Sequence, residues 1–342
     1  MPSSLYGPSL LLELFHLDKI EGNLPTYCPP YNVQPFVKVE SNQTNNYRSL
    51  RVSFNIHNYA YAIPSFGYGE IVVYNANRDN FLSSILLTND QRVGVRLSVG
   101  YEGSIDNVTI FNGFVVEALD SYRQPNDEIH LYCQFIDDSV QKGLTLKRGS
   151  SLLDAVREVI SEFNSIGQCP IFSNSVNENN FFPRSLSNSK VAVNKDLTLY
   201  GSFANIISKL ESLLNIQVLM DSSSITVYNR EAQFDIFGDD VASPILIDFN
   251  NGLVGSPTFH VLGSSLSFTS VLNPLLAYSS VIKLVTSSPI LQGPGNSPIN
   301  ISNSRIHSGY VFPKNITHRG DTRDREWYTD IIANNVSAFI GK

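Results

Sequence analysis

Val93-Gly-Val-Arg-Leu-Ser-Val-Gly-Tyr101 puts Val93, Val95, Leu97 and Val99 at every second position, with small or polar residues between them. Successive side chains of a strand point to opposite faces, so this spacing builds one apolar face. The same period runs through Arg51-Val-Ser-Phe-Asn-Ile-His57, where Val52, Phe54 and Ile56 alternate with Ser53 and Asn55. Further apolar runs lie at 10–17, 71–74, 108–119 and 128–136, joined by short polar turns such as 102–107. Strands of this length and spacing predict an antiparallel sandwich or barrel over residues 1–145. Within it, the Pro-rich stretch 25–35 reads as an ordered loop, and the polar segment 77–87 has some helical character.

Near Gly149 the period changes. Leu152, Leu153, Val156, Val159, Ile160 and Phe163 fall on one helical face, with Ser151 and Asp154 as a variant capping box. A second amphipathic helix follows Ser202 through Phe203, Ile206, Ile207, Leu210, Leu213 and Leu214, and ends near Asn215. Short strands at 216–220 and 224–228 flank a turn, so 146–240 predicts a small α/β module with a long loop at 168–195. Strand patterns return at 245–249, 258–262, 266–272, 281–286 and 309–318, while 287–304, rich in Pro, Gly, Ser and Asn, reads as a mobile surface loop. The expected fold class is mainly β with a small α/β part: two antiparallel β-barrel domains, 1–145 and 241–342, flanking the α/β module at 146–240.

The formal net charge of -7 argues against a broad basic face and so against tight nucleic-acid binding. Cys28, Cys133 and Cys169 form no C-x-x-C pair and suggest neither a disulfide framework nor a zinc site; they read as free thiols of a reducing compartment. The first 24 residues lack the basic region of a signal peptide, and no uncharged apolar run reaches the roughly 18 residues of a membrane span, so a soluble protein without membrane insertion is expected. His16, His57, His130, His260, His307 and His318 never fall at metal-ligand spacing. Gly293-Pro-Gly295 precedes no helix, and G-x-S-x-G is absent; no metal, cofactor or catalytic residue is expected. Asp239-Asp240 beside Gly238 reads as an acidic turn, and His318-Arg-Gly-Asp-Thr-Arg-Asp-Arg-Glu326 as a turn whose charges neutralise one another. Gly252 and Gly255 suit positive φ or close backbone approach, Pro257 interrupts ladder pairing, Asn273-Pro274 ends a strand, and Trp327, the single tryptophan, is a candidate anchor beside Tyr328, in the core by preference or else at a subunit contact.

Three segments also carry a family resemblance: Asn251-Gly-Leu-Val-Gly-Ser-Pro-Thr-Phe259, Phe268-Thr-Ser-Val-Leu-Asn-Pro274, and Gly309-Tyr-Val-Phe-Pro-Lys-Asn-Ile-Thr-His-Arg-Gly-Asp-Thr322 with Glu326-Trp-Tyr-Thr329. In order and spacing they resemble the baseplate hub proteins of contractile-tailed phages, which are related to the hubs of contractile injection systems. Phe54-Asn-Ile-His57, 71–75, 97–101 and Phe111-Asn-Gly-Phe-Val115 resemble the first tube-like barrel of such hubs more loosely, and Leu199-Tyr-Gly201 fits the central module. The signature positions are Gly252, Gly255, Pro257, Asn273, Pro274, His318, Gly320, Asp321, Trp327, Tyr328 and Thr329.

The resemblance implies two tail-tube-like barrels per chain and a homotrimeric ring that joins the tail tube to the central spike and encloses a channel. The partners it implies are the tail tube protein, a separate spike protein, baseplate wedge proteins and the tape measure protein, with DNA only in passage. The implied location is the tail baseplate of the virion, assembled in the bacterial host cytoplasm. The alternative is a tail-associated carbohydrate-binding protein or glycan hydrolase, which would need a cleft of convergent aromatics and a carboxylate pair.

Overall fold

The computed structural model describes residues 7–17, 34–42, 49–59, 67–76, 81, 85, 92–102, 105–123, 126–135, 141–164, 176–182, 184–191, 196–220, 225–229, 244–260, 265–278, 280–286, 290–292, 298–300 and 307–334. The N-terminal strands are β1 (Pro8–Leu17), β2 (Val37–Ser41), β3 (Arg51–Tyr59), β4 (Tyr68–Tyr74), β5 (Arg92–Tyr101), β6 (Ile105–Arg123) and β7 (Asn126–Gln134). The α/β module holds β8 (Lys142–Leu146), α1 (Leu152–Asn164), β9 (Phe181–Phe182), β10 (Leu197–Gly201), α2 (Phe203–Leu214), β11 (Ile216–Met220) and β12 (Ile225–Asn229). The C-terminal strands are β13 (Ile245–Ile247), β14 (Leu253–His260), β15 (Ser265–Val271), β16 (Ile282–Thr286), β17 (Ile290–Gln292), β18 (Pro298–Asn300), β19 (His307–Val311), β20 (Pro313–Asp321) and β21 (Trp327–Asn334).

The expected class holds: the chain is mainly β with a small α/β part. Its architecture departs from two closed barrels. Strands from both ends of the chain share one 13-stranded sheet, in the order β18-β17-β14-β15-β21-β20-β3-β4-β7-β6-β5-β1-β2, and among the described residues no ladder closes either half. β3 has β4 on one edge and β20 on the other, so the edge that closure would require is taken by a strand about 260 residues away. Two further differences have local causes. The expected strand at 309–318 divides at Phe312: β19 pairs with β16 in a three-stranded sheet, whereas β20 starts at Pro313, which has no amide hydrogen to continue the first ladder. Residues 287–304, expected as a mobile loop, contain β17 and β18, which pair with each other, and β17 extends β14 in parallel.

Both helices form where the 3.6 period places them. Leu152, Val156, Val159, Ile160 and Phe163 of α1 are buried, as are Phe203, Ile206, Ile207 and Leu210 of α2, and Phe163 meets Phe203 edge to face at 5.2 Å. Ser202 Oγ accepts the Asn205 amide at the start of α2, and Asn215 ends it in the left-handed conformation, φ 53°. Leu213, expected on the apolar face, is exposed. The buried Glu211 turns inward, and its Oε1 accepts the Val218 amide at 2.7 Å. The module packs on the inner face of the large sheet, where its apolar residues share one core with Phe54, Ile56, Ile71, Val73, Leu97, Phe111 and Leu131. Within the expected loop at 168–195, the described residues contain two short 3-10 turns, and β9 pairs in parallel with β12.

Buried tyrosine hydroxyls tie these parts together. Tyr101 on β5 donates to Leu272 O at 2.7 Å, Tyr228 on β12 donates to Tyr278 O at 2.6 Å, and the Tyr278 hydroxyl donates to Asn58 O on β3. Burial raises the Tyr101 phenol above its ordinary value, so it stays a donor. Tyr278→Phe removes the link to β3, and we expect it to lower unfolding free energy by about 1–2 kcal/mol in urea titration. Tyr200→Phe, at an exposed position, should stay within about 0.5 kcal/mol of the unmodified chain.

Candidate functional site

The signature residues of the third segment meet where β20 runs between β3 and β21. Three rows of inward-facing side chains cross this seam: Phe54-Gly320-Trp327, Ile56-His318-Thr329 and Asn58-Ile316-Ile331. The first row is set by volume. A Cβ on Gly320 would lie 2.6 Å from atoms of both Phe54 and Trp327, so only glycine lets the flanking rings meet above the middle strand. They do so edge to face, with centroids 5.4 Å apart. Trp327 is buried in the core, as expected, while its O accepts the Leu272 amide at 2.9 Å.

The second row is polar and closed. His318 is 1% exposed and its Nδ1 lies 2.9 Å from Thr329 Oγ1, which also accepts the Asn273 amide at 3.1 Å. One hydroxyl proton serves this chain if Thr329 donates to Nδ1, which leaves the proton of the neutral ring on Nε2. Burial holds the His318 pKa down at about 4.

Asp321 closes the top of the seam. Arg51 of β3 clasps its carboxylate through Nε, 3.0 Å from both oxygens, and Nη2, 2.6 Å from Oδ2. That hydrogen bond is the main reason the guanidinium pKa rises, and the same guanidinium lies 4.5 Å from the centre of the Tyr74 ring. Asp321 Oδ1 also accepts the Arg323 amide, its own amide donates to Glu326 O, and Val52 and Thr322 exchange two 3.0 Å hydrogen bonds. The charge-rich segment is therefore a hairpin turn fixed to the start of β3. On the outer face Arg319 bonds Glu326 and Asp330 and lies over Tyr328. The Arg319-Gly320-Asp321 tripeptide is not presented to solvent, since Gly320 and Asp321 are buried.

The other signature residues shape the neighbouring edge. Gly252 and Gly255 have φ of 92° and 71°, and the ladder between β14 and β15 slips between Val254 and Thr258, around Pro257. Asn273 Oδ1 accepts the Leu275 amide across Pro274, which ends the segment after β15. Among the described residues no group of three or more His, Cys, Asp or Glu is placed to hold a metal, and no helix is long and apolar enough to cross a membrane. Cys133 is buried and free, and burial pushes its thiol up. Cys28, Cys169, Asp239, Asp240 and 293–295 lie outside the described residues. Arg51 and Tyr278 escaped the sequence reading. Arg51 immediately precedes an alternating run, but its carboxylate partner is 270 positions away and leaves no local signal.

Three outcomes test the seam. Gly320→Ala should cost about 1–3 kcal/mol by overpacking between the rings, read from denaturant midpoints. A double-mutant cycle on Arg51→Ala and Asp321→Ala should return a coupling of about 1–3 kcal/mol. Because the folded His318 pKa lies below the ordinary 6.5, the unfolded chain binds the proton first; its contribution, on the order of 3 kcal/mol, is complete above about pH 6.5 and is lost as pH falls toward 4. His318→Gln should flatten stability across that window. Some slope will remain, because burial lowers the His57 pKa as well.

No protein-family model and no curated protein matches the chain. Solved structures similar to it include a tail protein from Neisseria meningitidis, 10% identical over 98% of each chain with a TM-score of 0.48. A 43 kDa tail protein of prophage MuSo2 from Shewanella oneidensis is 8% identical over 85% of this chain and 99% of that one, TM-score 0.44. An E. coli component of the type VI secretion system, described as structurally similar to T4 bacteriophage tail proteins, is 11% identical over 84% of this chain and 74% of that one, TM-score 0.46.

Proposed function

We propose that this chain is a structural subunit of a baseplate hub: a homotrimeric ring that joins a contractile tail's tube to its central spike and encloses the channel. The observation that carries the reading is the seam. Residues through which the sequence resembles hub proteins, Gly320, Asp321, His318, Trp327 and Thr329, hold β3 against β20 and β21 and so fuse the N- and C-terminal strands into one plate. His318 and Asp321, the groups with most chemical potential in the signature, are occupied in that fusion by Thr329 and Arg51.

In this reading the units 1–145, 146–240 and 241–342 act as one body, and a trimer presents six strand units around its axis, which lets a threefold object seat a sixfold tube. The tube protein docks above and the spike below, wedge proteins attach at the periphery, and tape measure protein and then DNA traverse the channel. The net charge of -7 supports a channel wall that repels DNA. The location is the virion's tail baseplate, after assembly in the host cytoplasm, and the role is not enzymatic.

Electron imaging of the purified chain at high concentration, alone and with its spike, should give threefold rings with an open centre. Compact monomers in both samples would overturn the hub reading. Reproducible release of sugars from host polysaccharide would replace it with the glycan hydrolase.

A further inference from the structure

Two surfaces of opposite charge lie on opposite sides of the subunit. The first is the outer face of β4, β7 and β6. Glu70, Tyr132 and Glu117 form one cross-strand row there, and His130 pairs with Leu119 in another. Tyr68, Tyr132, Val116 and Leu119 are exposed, Val116 by 54%. Glu128, paired with Tyr74, lies on this face together with Glu70 and Glu117. Glu70 and Glu128 flank His130 at 3.0 and 3.3 Å, and Glu117 has neither hydrogen bond nor ion pair among the described residues. The charge of Glu70 raises the Tyr132 phenol, as a locally negative face requires.

The second surface is a corner of the α/β module. The turn after β8 is tied to 189–191 by hydrogen bonds of 2.7 Å from Val191 N to Ser150 O and from Leu152 N to Ser189 O. Lys147, Arg148 and Lys190 are exposed on this corner, and none has a side-chain ion pair among the described residues. The nearby acids are engaged, Asp154 with Ser151 and Asp196 with the Arg148 amide.

The module covers the inner face of the sheet, sharing a core with Ile71, Val73, Ile129 and Leu131, whose neighbours along β4 and β7 point the other way. The acidic face and the basic corner therefore cannot meet within one chain. We propose that the outer face of β4, β7 and β6 receives the basic corner of a second copy of this chain, head to tail. This rests on the ring reading and names its subunit contact. Exposed tyrosines beside carboxylates suit Lys and Arg side chains, through ring faces and ion pairs together, and Val116 and Leu119 give the contact an apolar centre. A contact between two different patches repeats from copy to copy and closes a ring when the rotation allows.

The test is charge exchange, read by sedimentation and mass photometry across protein concentration. Glu70→Lys with Glu117→Lys should raise the concentration for half-assembly at least about tenfold, as should Lys147→Glu with Arg148→Glu, because each sets like charges together. All four substitutions in one chain should restore assembly. Rings that ignore both pairs, or a variant with all four substitutions that stays dissociated, would overturn this contact and leave the ring reading standing; absence of rings from the unmodified chain at every concentration, both alone and with its spike, would overturn the ring reading itself. Carbodiimide cross-linking of the unmodified ring avoids any loss of folding in the variants. A Glu117 to Lys147 link between copies supports the contact, and links elsewhere alone overturn it.

Discussion

The structure depends on a packing constraint at one backbone position. Gly320 sits between Phe54 and Trp327, and the absence of a side chain there lets two rings from flanking strands meet across the middle one. This fixes register as well as volume. A slip of one residue along β20 would turn Gly320 and His318 to the outer face and bring Arg319 beneath the rings. The ladder of seven paired positions between β20 and β3 is thus specified by the residue it cannot replace.

The same seam tolerates unfavourable polar burial. His318 is held neutral in the core, and Ser270 Oγ and Trp327 Nε1 are buried with no hydrogen-bond partner among the described residues. Each unsatisfied group costs about 1–3 kcal/mol. Ring packing, the bidentate Arg51 and Asp321 pair and the Thr329 relay offset these costs from within a few ångströms. Removing any one of the three leaves the other two to offset the buried polar groups of the strip.

What was legible in the sequence follows the range of the interactions. The alternation of Val52, Phe54 and Ile56 and the helical spacing from Leu152 to Phe163 are local, and the strands and helix they announce form where expected. The positive φ of Gly252 and Gly255 and the Asn273 turn were readable for the same reason. β2, β8 and β10, of five residues each, are too short for a period to stand out, and β21 starts directly after a charged segment that reads as turn. The joining of β20 to β3 left no trace in local pattern, because both strands look alike whether they close separate barrels or share a sheet. Signature residues marked where the seam lies, and only the fold relates Gly320 to Phe54 or Asp321 to Arg51.

Continuity of the sheet decides how the molecule can respond to force. Two domains joined only by a linker would rock against each other, since few contacts would have to change. Here relative motion of the N- and C-terminal strands must break the β20 and β3 ladder, the Tyr278 tie to Asn58 and the Arg51 clasp at once. All three hold β3, so strain applied to one is shared by all, and the least costly response is movement of the whole subunit. In a ring of the proposed kind, rearrangement between neighbours would then fall on the contacts between copies, where surface charge and exposed tyrosines would take over from the ladder as the source of specificity.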